Sequence, residues 1–99
     1  PVAPSLTDLY VGMHAPAGGR AAFALVREAR RAGLQARLEL AGRSLKGQLR
    51  HADRIGARYV ALVGDGPSAP VSLRDMASRE ELETAFQNVI PTILRGSRL

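Results

Sequence analysis

The stretch Gln35-Ala36-Arg37-Leu38-Glu39-Leu40, followed by Ser44 to Ile55 and then Ala57-Arg58-Tyr59-Val60-Ala61-Leu62-Val63, decides the fold. Its first six residues alternate strictly, Ala36, Leu38 and Leu40 against Gln35, Arg37 and Glu39, the period-2 signature of a strand with one solvated face and therefore of a sheet edge. Gly42 ends that strand. Ser44 can then cap a helix running to Ile55, with Leu45, Leu49, Ala52 and Ile55 on its buried side and Gly56 as its stop. The nearly continuous apolar run from Ala57 to Val63 reads as a central strand covered on both faces. Strand, helix and central strand in that order imply two parallel strands joined by a crossover helix.

Upstream, Leu6 to Met13 carries Leu9, Tyr10, Val11 and Met13 without clean alternation, as a second doubly covered strand does. Gly18-Gly19 then precedes a helix whose Ala22, Leu25, Val26 and Ala29 fall at i, i+3, i+4 and i+7, ending at Arg30-Arg31 with Gly33 as its stop. Downstream, Gly64-Asp65-Gly66-Pro67 is a turn, and Val71 and Leu73 mark a short strand after Pro70. The last quarter carries a conflict. Leu82, Phe86, Val89, Ile90 and Ile93 keep helical spacing behind Ser78-Arg79-Glu80-Glu81, which has capping-box form, so local pattern favours one helix from about Arg79. Pro91 breaks such a helix unless it sits in the first turn of a later one. At the start, two prolines in residues 1–5 read as a linker or chain end.

With 99 residues and 45% hydrophobic composition, the chain makes one small domain with a modest core. Without a bilayer-length apolar run or a cleavable leader pattern, it reads as a soluble chain of cytoplasmic type. The absence of cysteine excludes disulfides, thiolate metal sites and a cysteine nucleophile. No catalytic motif is visible, and His14 and His51 lie too far apart in sequence to suggest a metal site. The net charge of +5 is unevenly placed: Arg20 to Arg58 holds ten basic and three acidic residues, and the remainder four basic and six acidic. Lys46, Arg50 and Arg54 recur at i, i+4 and i+8 opposite the apolar face of their helix, with Arg43 just before it and Asp53 partly neutralising the stripe. Such a stripe suits either a phosphate backbone or a plain solvated face. Aromatics are few, Tyr10, Phe23, Tyr59 and Phe86, with Phe23 and Phe86 suited to the core, which argues against a broad base-stacking surface.

The run Gly42-Arg43-Ser44-Leu45-Lys46-Gly47-Gln48-Leu49-Arg50-His51-Ala52-Asp53-Arg54-Ile55-Gly56-Ala57-Arg58-Tyr59-Val60 closely resembles a segment of the class IIa anticodon-binding domain found at the C-terminus of histidyl-tRNA synthetases. Leu9-Tyr10-Val11, Arg31-Ala32-Gly33-Leu34 and Val71-Ser72-Leu73-Arg74-Asp75-Met76 extend the resemblance over roughly Thr7 to Leu94. Gly56-Ala57 favours the histidyl branch, since the glycyl, prolyl and threonyl relatives usually have proline at the second position. Two departures stand out: His14-Ala15-Pro16-Ala17 replaces an acidic helix start, and the Gly64 to Pro70 loop is short and proline-rich.

The resemblance implies an α/β fold: a three-layer α/β/α sandwich with a five-stranded mixed sheet, order 2-1-3-4-5, strand four antiparallel, and three helices. It places a fifth strand near Arg79 to Thr84 and a last helix from about Phe86, within a domain over residues 6–95 followed by a tail at 96–99. It implies binding of the anticodon stem-loop of histidine tRNA, for aminoacylation by an N-terminal catalytic domain absent from these residues. ATP and magnesium belong to that domain, with no cofactor, metal or catalytic residue in this one. The parent is implied to be a cytoplasmic homodimer with no membrane contact. Arg43, Lys46 and Arg50 are then candidate phosphate or base contacts, and Ser72 and Arg74 candidate base readers. For Arg74 the alternative is a salt bridge to Asp75 or Glu80. The competing function is a dimerisation or regulatory module built on the same domain without tRNA specificity.

Overall fold

The computed structural model describes residues 7–66 and 68–96. The linker over 1–5, Leu6, Pro67 and the tail beyond Gly96 lie outside the described residues. Eight elements follow in order: β1 (Leu9–Met13), α1 (Gly19–Arg31), β2 (Ala36–Leu38), α2 (Leu45–Arg54), β3 (Tyr59–Val63), β4 (Val71–Asp75), β5 (Glu81–Thr84) and α3 (Val89–Leu94), with short 3-10 turns at Pro16–Gly18 and Phe86–Asn88. The sheet order is β2-β1-β3-β4-β5. β1 pairs parallel with β2 and β3, and β4 runs antiparallel to both β3 and β5. This is the architecture that the resemblance implied, with β2 at an edge.

Alternation along the strands divides the core between two faces. Leu9, Val11, Tyr59, Ala61, Val63, Val71 and Leu73 pack with Ala22, Leu25, Val26 and Ala29 of α1 and with Val89 and Ile93 of α3. On the opposite face Tyr10, Val60 and Leu62 meet Ala52, Leu49 and Ile55, with Ala57 and Met76 filling in. All five β3 residues are buried, as the apolar run required. Among the described residues α2 is the one helix that covers the second face. Ser72 and Arg74 point to that side, opposite Glu83 and Glu81, and leave the β4–β5 half of the face open.

The helix boundaries have local causes. Gly33 takes φ +91 just after α1, where an L side chain is strained. Ser44 caps α2, its Oγ accepting from Gly47 N at 3.2 Å. Ser44→Ala therefore costs about 1 kcal/mol, measured as a lower urea midpoint with unchanged slope. At the outer margin of β2 the Arg30 guanidinium donates to Ala36 O from Nε at 3.2 Å and from Nη2 at 3.0 Å.

Three readings of the sequence need correction, and the conflict in the last quarter resolves as the resemblance implied. The last quarter is not one helix: Arg79 takes φ +66, Asp75 Oδ1 accepts from Ala77 N and Ser78 N, and the resulting turn returns the chain as β5. Pro91 then falls in the first turn of α3, where its missing N–H has no partner to lose. Glu39 does fall on the face opposite Leu38, but Tyr10 covers it and it is buried, while the strand ends at Leu38 and Leu40 is 86% exposed, the reverse of a solvated Glu39 and an inward Leu40. On α2 the buried side centres on Gln48 and Ala52, and Leu45 is exposed. Phe23 leaves the core and is 55% exposed, whereas Phe86 packs against it.

Candidate nucleic-acid interface

The loop between β2 and α2 is held from below by a buried carboxylate. Glu39 Oε2 accepts from Ala41 N and Arg43 N, each at 3.0 Å, and Oε1 accepts from Arg43 Nη1 at 2.8 Å and from the Tyr10 hydroxyl. A buried carboxylate without partners would be costly; this one has four donors. Burial pushes its proton affinity up, but the Arg43 backbone N–H, the Tyr10 hydroxyl and the Arg43 guanidinium outweigh burial and bring the Glu39 carboxyl down to about 2. The shared hydrogen bond acts oppositely on Tyr10: burial first, then the Glu39 carboxylate, push its phenol well above the usual range against a smaller lowering by Arg43.

A second clamp ties α2 to the end of β1. Gln48 Oε1 accepts from Met13 N at 2.9 Å, and Gln48 Nε2 donates to Met13 O at 3.0 Å and to Arg43 O at 2.8 Å. Gly12 makes this possible, because a Cβ there would fall on Gln48 Oε1. Arg43 is thus fixed through its N–H, its C=O and its guanidinium. His51 stacks edge-on against Tyr10 with centroids 5.6 Å apart. Beside them opens a cleft of about 530 Å³, lined in part by Tyr10, Phe23, Arg37, Arg43 and His51.

Lys46, Arg50 and Arg54 all lie exposed on the outer face of α2. Among the described residues none of the three forms an ion pair. Asp53 pairs with none of them; it faces Arg79, with Asp53 Oδ1 and Arg79 Nη2 3.5 Å apart. Arg43 sits one turn away at the head of the same helix, paired with Glu39 and partly exposed. Ser72 and Arg74 form a separate group on β4. Arg74 pairs with neither Asp75 nor Glu80; its Nε lies 3.7 Å from Glu81 Oε1, the residue directly across the sheet. The interface therefore has a cationic helix edge and, beside it, a mixed-charge strip of open sheet. Among the described residues no cluster of three or more His, Asp or Glu side chains is placed to hold a metal ion, and no helix is long and apolar enough to cross a membrane.

Sequence reasoning missed Glu39, Tyr10 and Gln48 as parts of this site. Gly12 was the available signal, since a glycine inside an apolar strand marks a close approach by another group.

Comparison with known proteins agrees with this geometry. The family model described as anticodon binding domain matches residues 9–95. A histidine–tRNA ligase of Syntrophotalea carbinolica is 32% identical over 99 residues, covering 98% of this chain and 24% of that protein. One from Geobacillus thermodenitrificans is 43% identical over 76 residues, covering 75% and 18%. The chain thus spans about a quarter or less of the length of these relatives. Histidyl-tRNA synthetase from Nostoc sp. PCC 7120 superposes with a TM-score of 0.81 at 25% identity over 92% of this chain and 21% of that one. The RNA binding domain of threonyl-tRNA synthetase from Cryptosporidium parvum Iowa II reaches 0.80 at 14% identity, covering 94% of this chain and 25% of that one, a likeness of fold alone. The chain belongs to the anticodon-binding domain family, in the form that histidine–tRNA ligases carry.

Proposed function

We propose that this domain binds the anticodon stem-loop of histidine tRNA and orients the tRNA for aminoacylation by a catalytic domain of a longer, cytoplasmic, homodimeric parent. ATP and magnesium act in that catalytic domain. The observation that carries the reading is the exposed stripe of Lys46, Arg50 and Arg54, free of ion pairs among the described residues while Asp53 is engaged by Arg79. Cations left unneutralised along one helix edge suit a phosphate backbone, and Arg43 adds a planar fork at its head. In this reading Ser72 and Arg74, on the sheet beside α2, meet bases turned out of the loop, which RNA-binding proteins read on their hydrogen-bonding edges.

Titration with the anticodon stem-loop RNA of histidine tRNA tests this. Binding is expected to weaken as salt rises, and Lys46→Ala and Arg50→Ala are each expected to lower the logarithmic salt slope by about one. Binding that ignores salt, or none at low ionic strength, overturns the proposal. One observation favours a second reading as a dimerisation or regulatory module: Phe23 and Leu40, both exposed, line the same cleft. Self-association measured by sedimentation, abolished by Phe23→Ser, would support that reading instead.

A further inference from the structure

We propose that Glu39 is a positioning residue of the RNA-binding edge: seated beneath the loop, it aims Arg43 outward and sets the start of α2, so that Arg43, Lys46 and Arg50 meet a phosphate backbone as one prearranged group. The inference rests on the reading of this surface as RNA-binding.

A carboxylate beside an anion-binding edge is an odd choice on charge alone, because it cancels part of the attraction. Its placement explains it. Both oxygens are spent inward, on two loop amides, one guanidinium nitrogen and the Tyr10 hydroxyl, and the Glu39 side chain is 1% exposed. The Arg43 side chain is 35% exposed and lines the clefts on both sides of the loop. A guanidinium carries five donors in a rigid plane, so anchoring its Nη1 on Glu39 restricts where the other donors face. Gln48 holds the Arg43 carbonyl, and Ser44 next to it caps α2, so the orientation of Arg43 and the start of the Lys46–Arg50 stripe are set by one joint. An edge ordered before binding loses less side-chain freedom on binding.

Charge and positioning predict opposite signs, and this makes the test sharp. Removing a negative charge beside RNA should tighten binding; removing a positioning residue should weaken it. Fluorescence anisotropy with the histidine anticodon stem-loop RNA is expected to show Glu39→Gln binding about tenfold more weakly, with the effect falling to about threefold in an Arg43→Ala background, where the bonds to the loop amides remain. Tyr10→Phe, which keeps every charge and removes one carboxylate partner, is expected to weaken binding by a smaller factor, and it carries the test where Glu39→Gln fails to fold. Unchanged or tighter binding by the folded variants, or equal losses with and without Arg43, overturns the inference while the proposed function stands. Wild-type protein that fails to bind the RNA at low salt overturns both.

Discussion

Gly12→Ala lowers the unfolding free energy by about 4 kcal/mol, which for a domain of this size is a fall in Tm of roughly 20 °C. The new methyl would overlap Gln48 Oε1 and stand 3.0 Å from Leu62 Cδ2. Leu62 is packed in the core and cannot retreat without opening a void. Gln48 can move, but only by abandoning Met13 N, Met13 O and Arg43 O, and each buried group left without a partner costs about 1–3 kcal/mol. The cost therefore comes from lost hydrogen bonds more than from the clash. A double-mutant cycle separates the two: in a Gln48→Ala background the side chain has already gone, and Gly12→Ala should cost about 1 kcal/mol or less. Additive losses in urea denaturation would place the penalty elsewhere.

Acid removes a second large contribution. The Glu39 carboxyl titrates near 2 in the folded domain and near 4.5 when the chain is unfolded. Its folded value is depressed, so the stability it supplies is complete above about pH 4.5 and is lost as pH falls from there toward 2. The shift is equivalent to about 3 kcal/mol, reduced to about 2 kcal/mol by solvent screening on the exposed side of Arg43. Urea unfolding followed from pH 7 to pH 2 should show this acid limb, and Glu39→Gln should flatten it while lowering the plateau. A wild-type profile that is level down to pH 3 would contradict the buried pair. Tyr10 acts at the other end: its folded value is raised, first by burial and then by Glu39, so its contribution is intact at neutral pH and is lost as pH climbs past 10.

The parts of the molecule that could be read in advance are those ruled by local periodicity. β3 declared itself because a strand with neighbours on both sides and helices on both faces has no polar position to spare. The cationic edge of α2 was legible because exposed charges obey helical spacing whatever the rest of the fold does. The β5 and α3 region was legible only through the family resemblance. Its local pattern supports a helix, and what overrides it is a turn closed by Asp75 and the pairing of Glu81–Thr84 with β4, neither visible to a window that reads neighbours along the chain. Glu39 misled for a related reason. Alternation places it correctly on the face opposite Leu38, but only the fold brings Tyr10, 29 residues earlier, over that position and turns solvent into core. Gln48, 35 residues from Met13, is the same kind of case.

The grip of Arg30 on Ala36 has a meaning for the molecule in company. Gln35 O accepts from Leu9 N, so the next carbonyl along, Ala36 O, points away from β1 toward the margin where a foreign strand could attach. Two guanidinium nitrogens occupy it instead. A margin only three residues long, with that acceptor already taken, offers little for a neighbouring molecule to zip onto. One of the many arginines that a charge count would assign to RNA thus serves to keep separate copies of the domain from joining sheet to sheet.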